Sequence, residues 1–484
     1  MNVRSKILSA SEGEIGSGRF LSALQRAVSY QTVSGSDGDR IQLKSYLDDF
    51  LSPMLRELGC AVERFDSWNG GKNSFLIGSR IENPDVPTVL CYGHADVTPG
   101  QEGEWHNDRD PWRVTVEGIR WYGRGTADNK GQHLINLTAL HLVLAEKSSL
   151  GFNLKFLFEA GEEIGSPLLA EFVTQHQTEL AADVFIASDG PRVDAETPTI
   201  FLGSRGSVEL ELTAHLRPDS YHSGNWGGLI RNPATTLAAA IGTLVDGNGN
   251  IRIETLLPDT IPGSVSRRLE KIRIPEHPHE GESYDGWGAQ YLTAAERLYA
   301  WNTLEILAMS SGNISDPTNS IPGSASALLQ LRFVSGTDVL DLESRVQEHL
   351  DARGFGMVRV RVSPAFPASR TDPDNPWVDW VARSIFQTTG VEPSVLPNFG
   401  GALPNHVFEG ILGLPTLWVP HSYPECLQHA PNEHLLEPLV RQGLAIACGI
   451  FYDLGNGGHP ARRDHPAKPE KHRRSPEIHL TQAH

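Results

Sequence analysis

Thr88-Val89-Leu90-Cys91-Tyr92-Gly93-His94-Ala95-Asp96-Val97 is the stretch on which the fold turns. A short, largely apolar run of the kind that fills a strand buried on both faces leads straight into a polar His-x-Asp. Two more such runs follow, at 154–158 and 184–187, with helical periodicity at 134–146 between the first run and these. Helical periodicity also precedes it, at 20–28 and 41–58. Strands alternating with helices predict an α/β unit over residues 1–205, a mostly parallel sheet covered by helices on both faces. Ligands of such sheets bind beyond the carboxyl ends of the strands. His94 stands at such an end, where it can reach a metal ion. Asp96, two residues on, points to the same side of an extended chain and can accept the other imidazole N–H.

After Gly203 the texture changes. Val208, Leu210 and Leu212 alternate with polar residues, a helix opens at Asn232-Pro233, a strand falls at 304–308, Leu329, Leu331 and Phe333 alternate, and an amphipathic helix at 338–353 ends at Gly354. Val358, Val360 and Val362 alternate once more. The β-α-β-β-α-β order predicts an α+β, ferredoxin-like unit over 206–366. Residues 247–301, rich in Pro, Gly and His, read as an inserted loop. Apolar elements of the first kind resume over 367–454, so the small unit is inserted into the large one. Residues 455–484, almost without apolar side chains, are expected to be a disordered tail.

Charge and composition exclude several classes of function. The 484 residues carry 41 basic and 59 acidic side chains, a formal charge of -18, which repels nucleic acid and anionic membrane. The four cysteines (Cys60, Cys91, Cys426, Cys448) form no Cys-x-x-Cys pair, so neither a redox motif nor a zinc ribbon is expected, and a reducing, cytoplasmic setting fits. Residues 1–20 lack the apolar segment of a secretory signal, and the most apolar stretch, 443–451, suits a buried helix rather than a membrane span.

Four further polar clusters stand where chemistry is expected. Tyr122-Gly123-Arg124-Gly125-Thr126-Ala127-Asp128-Asn129-Lys130-Gly131 presents Asp128 just before a helix, and a carboxylate with two oxygens can bridge two cations. Glu159-Ala160-Gly161-Glu162-Glu163-Ile164-Gly165-Ser166 follows an apolar run and sets two acids side by side. Asp189 ends another run, before Gly190-Pro191, and His429 lies in Gln428-His429-Ala430-Pro431-Asn432-Glu433. Taken singly, each is as readily a turn, cap or surface residue as a ligand. Together they offer two imidazoles and three carboxylates, mixed N and O donors that suit zinc, cobalt or manganese. There is no His-Glu-x-x-His and no Gly-x-Ser-x-Gly, which turns the reading away from a helix-borne single-zinc protease and from a serine hydrolase.

These segments, in this order, resemble the co-catalytic metallopeptidase family of aminoacylase, carboxypeptidase G, succinyl-diaminopimelate desuccinylase and the carnosinase-type dipeptidases. The likeness spans nearly the whole chain apart from the tail. It takes in Trp105 and Asp110-Pro111-Trp112, and a lid segment Tyr221-His222-Ser223-Gly224 with Asn232-Pro233. The resemblance implies two divalent ions per chain, zinc first and cobalt or manganese as alternatives. Asp128 bridges them, His94 and Asp189 complete one site, and Glu163 and His429 complete the other. Asp96 orients His94, and Glu162 is the general base that takes a proton from a metal-bridging water and passes it to the leaving amine. Arg332 looks like the arginine that holds a substrate's terminal carboxylate, with a strand-exposed arginine as the alternative. Gly400-Gly401-Ala402 resembles the family's Gly-Gly-Ser substrate loop, with Ala402 in place of the serine. The family further implies a homodimer through the inserted lid, and His222 reaching the partner subunit's active site. A non-proline cis peptide is expected at Asp128–Asn129. The expected activity is cleavage of an amide bond in a small substrate by a dipeptidase or small-peptide carboxypeptidase. An N-acyl amino acid amidohydrolase is the alternative, and a non-catalytic binding protein of the same fold a third reading.

Overall fold

The buried runs become the middle of an eight-stranded sheet in the computed structural model, which describes residues 2–35, 40–70, 73–274 and 286–460. The strands lie in the order Ala61–Phe65, Phe75–Arg80, Asn153–Glu159, Thr88–His94, Val184–Ala187, Thr416–Trp418, Thr199–Phe201 and Ser394–Leu396. The four at the centre are parallel: Val89 pairs with Leu154 on one side and Val184 on the other, and Leu417 pairs with Ile186. Every residue of Asn153–Glu159, Thr88–His94 and Val184–Ala187 is buried, because helices cover both faces. On one face Cys91, Phe156 and Ile186 pack with Leu134, Leu140, Leu444 and Ile450 from the helices Lys130–Lys147 and Glu437–Leu454. On the other, Tyr92, Leu157 and Phe185 pack with Phe172 and Phe408. Each such side chain contributes about 1.5–3 kcal/mol by leaving water.

Two features depart from the alternating pattern. The sheet begins with an antiparallel pair, Ala61–Phe65 on Phe75–Arg80, which pairs antiparallel with Asn153–Glu159 in turn. A helix, Val3–Gly16, precedes the first expected one and buries only Ile7, Ser11 and Ile15. A stripe that narrow, with a serine in its middle, gives little apolar period to read.

The alternating segments after Gly203 form a second, antiparallel sheet in the order Thr303–Ser310, Ser324–Phe333, Gly206–His215 and Val358–Val362. One face buries Val208, Leu210, Leu329 and Leu331 against Leu237, Val346 and Leu350 of the helices Pro233–Ile241 and Leu342–Ala352. The Asn232 side chain accepts from the N–H groups of Ala234 and Thr235, and Pro233 occupies the first turn, where its missing N–H costs nothing. The fold is therefore α/β with a mainly parallel sheet, joined to an α+β sandwich.

The 247–301 segment is more ordered than a loop. It carries helices Gly263–Leu269 and Ala294–Tyr299, whose Val265, Leu269 and Ala295 bury against one another with Ala300. The second begins in a Thr293–Glu296 capping box, a Thr-x-x-Glu signal present in the sequence. Residues 275–285 of this segment, and 461–484 of the expected tail, lie outside the described residues. No helix among the described residues is long and apolar enough to cross a membrane.

Candidate active site

His94 ends its strand wholly buried. Its Nδ1 lies 3.0 Å from the Asp96 carbonyl oxygen and 3.4 Å from the Asp96 carboxylate. The turn after the strand folds the Asp96 carbonyl back under the ring, so the nearer acceptor is the backbone and not the side chain expected from spacing. Its Nε2 is thereby aimed at Asp128 Oδ1, 2.9 Å away, and at Asp189 Oδ2, 3.7 Å away. The Asp96 carboxylate is committed mainly elsewhere. It accepts from the backbone N–H groups of Glu162 (3.2 Å) and Glu163 (3.1 Å), and so locks the acidic turn against the histidine strand.

Asp128 is presented by a loop that wraps around a second carboxylate. Glu433, wholly buried, accepts from the N–H groups of Gly125 (3.0 Å), Ala127 (2.8 Å) and Asp128 (3.0 Å), and from Arg124 Nη1 (2.8 Å). Gly125 takes φ 84°, and a Cβ on Gly131 would stand 2.0 Å from the Thr126 carbonyl oxygen, so neither position admits a side chain. The Asp128–Asn129 peptide is cis. Asn129 donates to the Ser188 carbonyl at 2.8 Å. Gln132 donates to the carbonyls of Ala127 and Gly190 and accepts from the N–H of His421, which laces three loops together behind the site.

The acidic turn is braced by Glu159, which accepts from Tyr92 (2.7 Å), Asn73 (2.8 Å) and Ser166 (2.9 Å). Glu163 Oε2 lies 3.0 Å from His429 Nε2, and Asp128 Oδ2 lies 3.0 Å from the same nitrogen. His429 itself sits at φ 63°, between Leu427 at 58° and Asn432 at 69°. This coiled stretch of left-handed residues turns the imidazole back toward Asp128. The two oxygens of Asp128 thus face different histidines, His94 and His429.

Charge in the site is unbalanced. Burial, then repulsion from Asp128, pushes the Glu163 carboxyl up to about 7. The same two causes push Asp189 up to about 6. Burial holds Glu162 well above the carboxylate range, His94 offsets part of that, and Asp189, Glu163 and Asp128 add to it. Hydrogen bonds to Asp128 and Glu163 raise His429 to about 10. Ligand atoms of His94, Asp128 and Glu163 lie within 4.8 Å of one another, and Glu163 Oε1 is buried with no hydrogen-bond partner. Crowded, mutually repelling carboxylates with two imidazoles and an unused buried oxygen suit divalent cations, which would relieve that repulsion.

Asp96, Glu162 and the five expected ligands converge in this way. Four other expected residues stand apart. Arg332 lies on the lid strand Ser324–Phe333, its Nε donating to Gln330 at 2.9 Å. Gly400 accepts from Arg205 through its carbonyl at 3.2 Å, and Gly401 packs against Phe399. His222 is exposed at the end of a short lid strand, its Nδ1 accepting from the Gly224 N–H at 3.1 Å. No hydrogen bond or ion pair among the described residues joins His222 to the His94 cluster. Sequence reading missed Glu433 and Arg124 as a brace, Gln132 as a lace, and Arg205. The run of polar residues at the buried start of the helix Lys130–Lys147 was the available signal for Gln132.

Comparison with known proteins fits this geometry. The model of Peptidase family M20/M25/M40 matches residues 90–453. The chain is 26% identical over 467 residues to mouse Beta-Ala-His dipeptidase, covering 91% of this chain and 94% of that protein. It is 27% identical over 359 residues to the Cysteinylglycine-S-conjugate dipeptidase of Corynebacterium striatum, covering 73% and 77%. The crystal structure of human carnosine dipeptidase 1 superposes with a TM-score of 0.72 at 22% identity, covering 94% of this chain and 99% of that one, a likeness of fold.

Proposed function

Because the chain belongs to peptidase family M20/M25/M40, and is thereby a metal-dependent hydrolase, we propose that it is a two-metal dipeptidase. The observation that carries this reading is Asp128 facing His94 with one oxygen and His429 with the other, at 2.9 and 3.0 Å. In this reading His94 and Asp189 would hold one ion and Glu163 and His429 the other, with one oxygen of Asp128 available to each. When bound, the ions polarise the scissile carbonyl and acidify water, with zinc, cobalt or manganese matching the donor set.

The chain's own residues do the rest. Asp96 fixes the backbone of the acidic turn, so that Glu163 meets His429 while the carboxylate of Glu162, which makes no ion pair among the described residues, is left to carry a proton. Water adds to the carbonyl carbon and gives its proton to Glu162. As the C–N bond breaks, Glu162 returns that proton to the amine nitrogen, and the second water proton passes from the new carboxyl group to the amine, so the products are a carboxylate and an ammonium group. Arg332 anchors the terminal carboxylate of the substrate, beside the Gly400-Gly401 loop.

A homodimer is part of the same proposal. The lid strand Thr303–Ser310 is a sheet edge, and its Ile306, Leu307 and Met309 are about half exposed. An open edge with apolar side chains favours pairing with a second copy. His222, with Nδ1 occupied by Gly224, has Nε2 left to donate to the substrate carbonyl oxygen in the neighbouring subunit's site. The cytoplasmic setting is supported by four cysteines that are all free and buried. The experiment is metal analysis together with turnover on a panel of dipeptides and N-acyl amino acids. Hydrolysis of acyl amino acids alone would overturn the dipeptidase reading.

A further inference from the structure

A buried polar network behind the site takes no part in the proton transfers of Glu162. It begins at Tyr46, whose ring stacks on Phe50 at 5.0 Å. The Tyr46 hydroxyl lies 2.7 Å from His133 Nε2, and His133 Nδ1 lies 3.1 Å from Asn129 Oδ1. Asn129 Nδ2 donates to the Ser188 carbonyl at 2.8 Å. All four residues are at most 1% exposed.

The far end of the network fixes every hydrogen in it. A backbone carbonyl can only accept, so the amide nitrogen of Asn129 must face Ser188. That leaves Oδ1, an acceptor, toward His133, whose Nδ1 must then carry the proton. Nε2 of the neutral ring accepts from the Tyr46 hydroxyl. Burial, with repulsion from His94 and Lys130, holds His133 well below the usual histidine range, which keeps the ring neutral. Phe158 packs edge-on to that ring at 5.2 Å, so the surroundings would equally suit an apolar side chain. Polar groups buried here cost free energy unless each is satisfied, and each is satisfied in one direction only.

The network ends on the segment that carries Asp189. Ser188 is held a second time, by Asn136 Nδ2 donating to its hydroxyl at 2.9 Å. On the other side, the Gly190 carbonyl accepts from Gln132 at 3.2 Å and from Ser422 at 3.0 Å. Asp189 Oδ1 accepts from the Gly190 N–H at 2.7 Å, which leaves Oδ2 toward His94. The Asn129 amide also acts on this carboxylate: burial and then Asp128 push Asp189 up to about 6, while His94, the Gly190 N–H and Asn129 oppose the push. Resting on the two-metal reading, we propose that Tyr46 and His133 are positioning residues for Asp189. Through Asn129 they fix the metal site that Asp189 forms with His94. Among the described residues, no hydrogen bond of the network reaches Glu163 or His429, so the other site is set independently.

The test is stepwise cobalt(II) titration of the metal-free protein, read by visible absorption, which needs no turnover. Wild type should bind about two ions. His133→Leu should weaken one of them by about tenfold or more and leave the other within about threefold, the scale on which outer partners of metal ligands act. Tyr46→Phe removes one hydroxyl and keeps the stacked ring; it should weaken the same ion, by less, and it carries the test alone if Tm shows that His133→Leu does not fold. His133→Gln offers an N–H to Asn129 and an oxygen to Tyr46, and should bind both ions within about threefold of wild type. In an Asp189→Ala background, Tyr46→Phe should change the remaining binding step no further, since the two residues act as one unit. Equal weakening of both ions, a lowered Tm with unchanged affinities, or a loss that His133→Gln does not reverse would overturn the proposal. If wild type takes up a single ion, the two-metal reading falls; weakening of that ion by Tyr46→Phe and His133→Leu, reversed in His133→Gln, still supports the network's role, and unchanged binding overturns it.

Discussion

Glu433 and Arg124 stand 309 residues apart in sequence and meet as a fully buried ion pair at 2.8 Å. The same carboxylate collects three backbone N–H groups of the loop that ends in Asp128. All its acceptor capacity is used, which is the condition under which a buried charge is tolerated. A carboxylate four residues beyond His429 in the C-terminal part therefore shapes the loop that presents Asp128 in the N-terminal part.

Removing that charge tests the relationship. Glu433→Gln keeps the shape but strands Arg124 in the interior, a loss of about 3–5 kcal/mol for a broken buried pair. Tm should fall, and metal content after purification should fall with it. A variant with wild-type Tm and full metal would show that the brace is dispensable.

The two neighbouring glutamates should separate cleanly. Glu162→Gln should retain bound metal and lose about a hundredfold or more in kcat, since its task is proton transfer. Glu163→Gln should instead bind metal weakly, because its carboxylate lies 3.0 Å from His429. Retention of most of the kcat by Glu162→Gln ends its assignment as base.

Metal removal should abolish turnover, with recovery on adding zinc, cobalt or manganese. Elemental analysis of the saturated enzyme should find about two ions per chain, as a bridging carboxylate between two cations requires. One ion per chain at full activity is the contrary result.

The proposed homodimer, with exposed His222 acting in the partner subunit's site, predicts complementation between inactive subunits. Mixed under exchanging conditions, His222→Ala and Glu162→Gln chains form hybrids in which one site has both residues intact. Part of the activity should return. No recovery, with exchange verified by mass, places the action of His222 within its own subunit or nowhere.

Much of this was legible because burial leaves a mark in sequence. Strands covered on both faces read as apolar runs, and each of the first three runs delivers a polar residue, His94, Glu159 or Asp189, at or just past its carboxyl end. The lid was equally legible, since Val208 to Leu212 and Leu329 to Phe333 alternate between a helix-covered and an open face. The antiparallel edge at Ala61–Phe65 was not, because its residues are largely half-exposed and carry no clean period. Glu433 was visible as part of a motif, but its work is done on backbone N–H groups, which no side-chain pattern reveals. Arg205 was missed for a related reason: its meaning comes from Arg332 and Gly400, which only the folded chain brings beside it.

The position of Thr416–Trp418 bears on how this protein is made. It fills the gap between Val184–Ala187 and Thr199–Phe201, strands the ribosome has finished long before. During synthesis those two edges must wait, open, while the lid is translated and is free to form on its own local contacts. Only when residues 416–436 have emerged can the sheet close and Glu433 gather the Asp128 loop. An unfinished chain thus lacks His429 and Glu433 beside the Asp128 loop, and its open edges are exposed to mispairing.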